Sequence, residues 1–403
     1  MKANLKTEQQ GRFHEEEKRI MQPKPKHTPA FLKAAGRYSR HTLCFALWAT
    51  TLAIPASARE ATYITFDPPG SVLTEALAIN NAGTIIGAYL DANNLTHGFV
   101  RAADGAITSF DAPGAGTGPG QGTVGYSINP AGEIVGYYVD ASNVNHGFLR
   151  NRDGSFATFD APGAGTGSGQ GTSGLDVNPG DLIAGWYADS TGVYHGFLLA
   201  TDGRFTSFDA PGAGTGPGQG TYLTFGNGLN PKGEVSGNYF DSSNVWHGYV
   251  RSADGSITEI DVPGAGTGPG QGTCTLGLGI NPSGTTSGNY VDASGASHGF
   301  VRAADGTITT YDVPGEGTGP GQGVVSAVIN PAGTIVSWFV DSGNVSHGFV
   351  RTKQGDITTF DVPGAGTGPG QGTNPFFNNA ADDITGWYVD SSGVYHGFLR
   401  TGK

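Results

Sequence analysis

The feature that most restricts how this chain can fold is an internal repeat. His-Gly followed by Phe or Tyr occurs at His97, His146, His195, His247, His298, His347 and His396, at spacings of 49, 49, 52, 51, 49 and 49 residues. Each His has an Asp six residues before it: Asp91, Asp140, Asp189, Asp241, Asp292, Asp341 and Asp390. A further Asp follows an apolar residue at Asp67, Asp111, Asp160, Asp209, Asp261, Asp312 and Asp361. Seven units of about 49 residues thus fill the chain from residue 61 onward. A unit of that size buries its apolar surface only against neighbouring copies, so the fold is a stacked array or a ring.

The second copy shows what each unit contains. Residues 124–129 read as a strand closed by Asn129-Pro130-Ala131-Gly132, with turn formers in the places a type I turn needs. Residues 133–140 (EIVGYYVD) are β-branched and aromatic, and 146–150 (HGFLR) follow as a third strand. Asp153-Gly154 marks a hairpin turn before the fourth strand, 155–160 (SFATFD). No stretch after residue 60 keeps a helical period. Of the 403 residues, 69 are Gly and 23 Pro while only 14% are charged, which excludes a helical enzyme or coiled coil. Four antiparallel strands at this period predict an all-β fold, a seven-bladed β-propeller. The chain ends support closure: residues 62–67 match a fourth strand and 396–400 a third. The N-terminal strand is therefore expected to complete the last blade and remove open edges.

Gly87, Gly136, Gly185, Gly237, Gly288 and Gly386, with Ser337 in the sixth copy, sit within the second strands, where a missing side chain is expected to let adjacent sheets approach. Two residues on lies a ring of aromatics, Tyr89, Tyr138, Tyr187, Tyr239, Tyr290, Phe339 and Tyr388, read as packing between blades.

Residues 1–58 read as a signal peptide with a long basic n-region, an uncharged run from Leu43 to Ile54, and the small-residue site Ala56-Ser57-Ala58. Met21 is an alternative start. The run is too short to span a bilayer. Residues 59–403 form the propeller, carry a formal charge of −18, and retain Cys274 as their one thiol, so no intrachain disulfide forms. The expected product is secreted, extracellular or periplasmic, monomeric and without a membrane span. Its negative charge argues against a nucleic-acid partner.

The unit I-N-x-x-G-x-I-x-G-x-Y-x-D, then H-G-F-x-R, then D-G-x-I-T-x-F-D, resembles the bacterial extracellular HAF-family repeats, here with Gly in the centre of His-Ala-Phe. The resemblance covers residues 61–400. It implies propeller-like repeats outside the cell and no particular chemistry. Kelch repeats and WD40 repeats are unlike it, since the chain has no Gly-Gly and no Trp-Asp pair.

Function is sought where the units depart from bare scaffold. Between units runs the insertion Pro-Gly-Ala-Gly-Thr-Gly-Pro-Gly-Gln-Gly, beginning at Pro113, Pro162, Pro211, Pro263, Pro314 and Pro363, with Ser168 and Glu316 as exceptions. Its side chains are Thr117, Thr166, Thr215, Thr267, Thr318 and Thr367, and Gln121, Gln170, Gln219, Gln271, Gln322 and Gln371. They are expected either to hydrogen-bond sugar hydroxyls or to close the loops on themselves. No P-loop pattern is present. The histidines are too far apart between blades to share zinc, and each is expected to bond within its blade, with the Asp six residues earlier as partner. No metal is assigned. Asp111, Asp140, Asp160 and Asp189 are the weak calcium candidates, loop capping being the default. The unique groups Glu75, Lys232, Cys274 and Glu316 have no evident catalytic partner, so no catalytic residue is named. The reading is a binding or scaffold module for extracellular glycan or a surface protein through the Gly-rich face. The alternative is a glycan lyase or hydrolase working in the central mouth.

Overall fold

The computed structural model describes residues 61–223 and 227–402. The expected signal peptide and its cleavage site lie outside them. The described residues form 29 strands in one hydrogen-bonded sheet system, with no helix among them. The all-β expectation holds. None of these residues forms a helix long and apolar enough to cross a membrane.

Strand β1 (Thr62–Phe66) precedes the first unit, which comprises β2 (Ser71–Ile79), β3 (Ile85–Asp91), β4 (Thr96–Arg101) and β5 (Ile107–Phe110). Consecutive strands pair antiparallel, β2 to β3, β3 to β4 and β4 to β5. The same order recurs in the later units, with a first strand split into Gly323–Val324 and Val328–Ile329 in the sixth. The expected turns are present: the Gly132 amide donates to the Asn129 carbonyl at 3.0 Å and that of Gly154 to Asn151 at 2.9 Å.

Units join at a parallel bridge. At six joins the head of the third strand meets a glycine that opens the next first strand, as Thr96 meets Gly122. Gly122 has φ of 114°, and any Cβ there would collide with the Thr96 carbonyl. Only glycine satisfies both demands.

The last strand, Tyr395–Thr401, pairs antiparallel with β1 from Thr62↔Thr401 to Phe66↔Gly397. The N-terminus thus supplies the outer strand of the final unit, as its sequence suggested. A second closure lies at the opposite ends of the first strands. Asparagines that end several of them turn their amides to the next unit's backbone: Asn178 to the Asn230 carbonyl (3.1 Å), Asn230 to Asn281 (3.2 Å), Asn330 to Asn379 (3.0 Å) and Asn379 to Asn80 (3.3 Å). The Asn379–Asn80 bond joins the last unit to the first.

The core follows from the His-Gly-Phe segment. Phe99, Phe148, Phe197, Tyr249, Phe300, Phe349 and Phe398 are all fully buried. The aromatic ring of one fourth strand meets the next unit's buried ring edge-on, Phe110 against Phe148 at 6.1 Å and Phe208 against Tyr249 at 6.2 Å. Arginine at the end of the third strand reaches back over the same ring, Arg150 over Phe110 at 5.1 Å and Arg251 over Phe208 at 5.0 Å. Such a pair is worth about 0.5–2 kcal/mol, more as it is desolvated.

The mid-strand glycines have a different cause from the one expected. A Cβ at Gly136 would strike the Val124 carbonyl, and the Phe148 ring lies just beyond. Both neighbours belong to the same unit, where the first strand bulges between Gly125 and Ser127. The glycine makes room for its own sheet's bulge and buried ring.

Candidate functional site

One rung of the sheet carries the recurring polar side chains. In the second unit the register sets Thr123 opposite Tyr138, and Tyr138 opposite His146. The hairpin pairing Gly147↔Phe159 brings His146 level with Asp160. Residues on one rung share a face, so threonine, tyrosine, histidine and aspartate form a row across four strands.

In that row the imidazole Nδ1 meets the fourth-strand aspartate at 3.0 Å for His97–Asp111 and 2.9 Å for His146–Asp160, His195–Asp209 and His247–Asp261. The distances are 2.7 Å for His298–Asp312, 3.0 Å for His347–Asp361 and 2.7 Å for His396–Asp67. Asp67 arrives on the segment after β1, so ring closure completes the last site. The aspartate six residues before each His, expected as the main partner, faces Nε2 at 3.5 Å in the closest pairs and 3.9 Å in the widest. One of its oxygens is committed to its own turn: Asp140 Oδ1 accepts from the Ser142 and Val144 amides, both at 2.8 Å. The histidines bond within their own units, as anticipated, but chiefly to the other aspartate. Hairpin arithmetic about Asp-Gly would have found it.

The second-strand aromatic lies flat on the histidine, with centroids 5.0 Å apart for Tyr138–His146 and 5.3 Å for Phe339–His347. Over its hydroxyl passes the Gly-rich insertion from the preceding unit. A Cβ on Gly114 would sit 3.2 Å from the Tyr138 hydroxyl. The insertions therefore lie on the same face as the histidine rows.

Each glutamine of the insertion folds back into its loop. Gln121 Oε1 accepts from the Gly118 amide at 2.8 Å, and its Nε2 donates to Asn143 Oδ1 at 3.1 Å. Gln170, Gln219, Gln271, Gln322 and Gln371 repeat the first bond at 2.8–3.0 Å. The geometry matches the self-closing alternative for the glutamines. Thr117, Thr166, Thr215, Thr267, Thr318 and Thr367 are all exposed.

The aspartates considered for calcium are engaged by protein groups. Asp111 and Asp160 hold His97 and His146, while Asp140 and Asp189 cap turns, Asp189 through Thr191 and Val193. At two rows a further carboxylate joins. His247 gathers Glu259 and Asp261, and His298 gathers Asp312 and Glu316, with ligand-capable atoms within 4.8 Å of one another. Partial burial works against a charged His298, but hydrogen bonds and charge from Asp312 and Asp292 outweigh it and raise its pKa. Backbone donation from Leu95 keeps the Asp91 carboxyl below its usual range.

Glu316 has a structural reason that its sequence context hid. At the other insertion joins a threonine hydroxyl accepts from the amide after the fourth-strand aspartate, as Thr123 does from Ala112 and Thr373 from Val362, both at 2.9 Å. In the sixth unit Val324 stands in place of that threonine, and Glu316 Oε2 takes the Val313 amide instead, at 2.9 Å. Burial pushes its carboxyl up to about 7, opposed by the Val313 amide and reinforced by Asp312.

The sixth row also opens a shallow, solvent-open pocket of about 410 Å³, lined by Gly315, Phe339, Asp341, His347, Thr359, Phe360 and Asp361. Two carboxylates, an imidazole and two phenyl rings converge there. Such a site can accept hydrogen bonds from a hydroxylated or cationic ligand and pack its apolar face.

All-β units on this pattern define a propeller-like class of fold. The chain is similar over 81% of its length to the BP39L lectin from Burkholderia pseudomallei, 98% of which is covered, at 12% identity and a TM-score of 0.52. Weaker likenesses are AofleA from Arthrobotrys oligospora (13% identity, 75% of this chain and 90% of that one, TM-score 0.45) and the fucose-specific lectin from Aleuria aurantia (15%, 72% and 96%, 0.40). No family model and no curated protein matches the chain.

Proposed function

We propose that this protein is an exported, closed seven-bladed β-propeller of HAF-like repeats that binds extracellular glycan multivalently through its Gly-rich face. The observation that carries the reading is the row of aromatic, histidine and two aspartates, repeated in every unit beneath an insertion or the N-terminal segment. Half-exposed carboxylates beside an imidazole are the acceptors that sugar hydroxyls need. The exposed threonines of the insertions form the polar rim. The BP39L lectin, similar in fold, gives it a precedent, although fold alone does not assign function. Each row would bind weakly, and a polymer reaching several rows would gain avidity.

The test is a glycan array probed with the purified chain, with and without calcium, followed by titration of the best ligand. Binding with several sites per chain, weakened by replacing two or more of the fourth-strand aspartates with Asn, supports the reading. An array without ligands, or one tight site insensitive to those changes, overturns it.

A further inference from the structure

The seven rows are not equivalent, and the sixth departs from the others in one direction. Its register runs Val324, Phe339, His347, Asp361. Two hydroxyls present on the second-unit row, those of Thr123 and Tyr138, are absent. Elsewhere the tyrosine hydroxyl fills the gap beneath the insertion. A Cβ on Gly114, Gly163, Gly212, Gly264 or Gly364 would lie 3.2–3.9 Å from the tyrosine of the following unit, whereas one on Gly315 would meet nothing within 4 Å. In the first unit the Tyr89 hydroxyl also bonds the fourth-strand Ser109 at 2.9 Å. The corresponding Thr359 lines the sixth cavity opposite a ring that has no hydroxyl to offer it. Gly315 itself lines the cavity, so the empty space beneath it is part of the same opening.

The walls of the opening define what fits. Phe339, stacked on His347, and Phe360, with the Arg400 guanidinium 4.8 Å over its ring, give apolar edges, and Asp341 and Asp361 give two carboxylates around one imidazole. The Asp361 carboxyl is half exposed, and Asp341 Oδ2 stands 3.5 Å from His347 Nε2. The two carboxylates lie at the mouth, the Arg400 guanidinium lies over the Phe360 ring behind it, and the chain around it is acidic. Such a pocket disfavours carboxylated or sulfated sugars and attracts an ammonium group.

We propose that the sixth-unit pocket is the principal ligand site of the ring, and that its ligand is an amino sugar with a free ammonium group, met as part of a polymer. This rests on the glycan-binding reading and narrows it. The phenyl edges suit the C–H groups of a pyranose, and the paired aspartates suit its ammonium. A basic peptide would share the charge complementarity without using the phenyl edges.

The experiment uses the full chain with oligomers of β-1,4-linked glucosamine, their fully N-acetylated counterparts of equal length, and polylysine, read by titration calorimetry. Phe339→Tyr, which restores the hydroxyl found in the other rows, should weaken glucosamine-oligomer binding about tenfold or more without lowering the melting temperature. Asp361→Asn should weaken it by a comparable factor, as loss of a charge-assisted bond does. Tyr138→Phe should open a matching gap and raise the number of sites per chain. Unchanged affinity in Phe339→Tyr overturns the assignment of the pocket. N-acetylated oligomers bound as tightly as the free amines, or neutral sugars alone bound by the other rows, overturn the ammonium requirement and leave the glycan reading standing. Polylysine bound as tightly and equally sensitive to Phe339→Tyr replaces the sugar with a peptide. Binding to none of the three overturns the proposal, while the array decides the broader reading separately.

Discussion

Replacing Glu316 tests whether it substitutes for the threonine missing at position 324. Val313 is 2% exposed, and its amide is held by Glu316 Oε2 at 2.9 Å. Glu316→Ala should leave that amide without its acceptor, at about 1–3 kcal/mol. Against this stands the penalty on the charged carboxylate. Raising its pKa from 4.5 to about 7 corresponds to at most about 3.4 kcal/mol, and partial exposure reduces this to about 1–2 kcal/mol. The folded pKa lies above the unfolded one, so the folded state holds the extra proton between about pH 4.5 and 7, and its relative stability falls as pH rises through that window. At pH 5 the substitution should therefore cost about 1–3 kcal/mol, and at pH 8 nearly nothing. Val324→Thr should supply the acceptor used at the other joins. In that background Glu316→Ala should cost nothing at pH 5 and gain about 1–2 kcal/mol at pH 8. Urea unfolding of the four chains at both pH values measures the cycle. An equal cost of Glu316→Ala in both backgrounds at each pH would refute the substitution of one acceptor for the other.

Three further outcomes follow from the same geometry. Removing residues 59–67 strips β1 from the last strand and Asp67 from His396, so size-exclusion chromatography should show aggregation; a monomer of parental stability would argue against closure. Gln121→Ala removes the clamp on one insertion, and about 0.5–1.5 kcal/mol of stability with it. Limited proteolysis should then cut near residues 115–120 first, and an unaltered cleavage pattern counts against the clamp. Gly122→Ala combines a positive φ with a collision against the Thr96 carbonyl, and thermal melting should show a loss of roughly 3 kcal/mol or more. A loss under about 1 kcal/mol would mean that the bridge yields easily.

The repeat period and turn residues made the strand order legible, because each depends on local backbone preference. Asn129-Pro130 and Asp153-Gly154 mark turns wherever they stand, and the match of residues 62–67 to a fourth strand anticipated the pairing with Tyr395–Thr401. Side-chain partners were less legible, because they depend on register across strands. The sixfold offset from Asp91 to His97 was conspicuous, yet the offset of fourteen to Asp111 is the one that a four-stranded meander turns into contact. The glutamines looked like ligand donors because they recur in exposed loops. Only the folded loop shows their carbonyl oxygens spent on glycine amides.

Departures from the repeat carry the information that the repeat itself cannot. Asp176 is one example: it is buried in the third unit, with Ser127 Oγ and the amides of Asn227 and Leu229 bound to it at 2.7–3.0 Å. It steadies the fourth unit where the His-to-His spacing grows to 52. Burial raises its pKa, but its hydrogen bonds are satisfied, so it is a structural repair. The sixth unit differs. Val324 is repaired by Glu316, whereas the hydroxyl lost at Phe339 is not replaced, and a cavity remains beside two carboxylates. In sequence these are three isolated substitutions spread over 24 residues. Register sets Val324 opposite Phe339, and the amide bond ties Glu316 to the join beside them. Simple drift of a duplicated unit would scatter such changes over the sheet. Their convergence on the two lost hydroxyls of one row, with repair where the backbone needs an acceptor and none where a cavity opens, makes this row the place to look for a ligand.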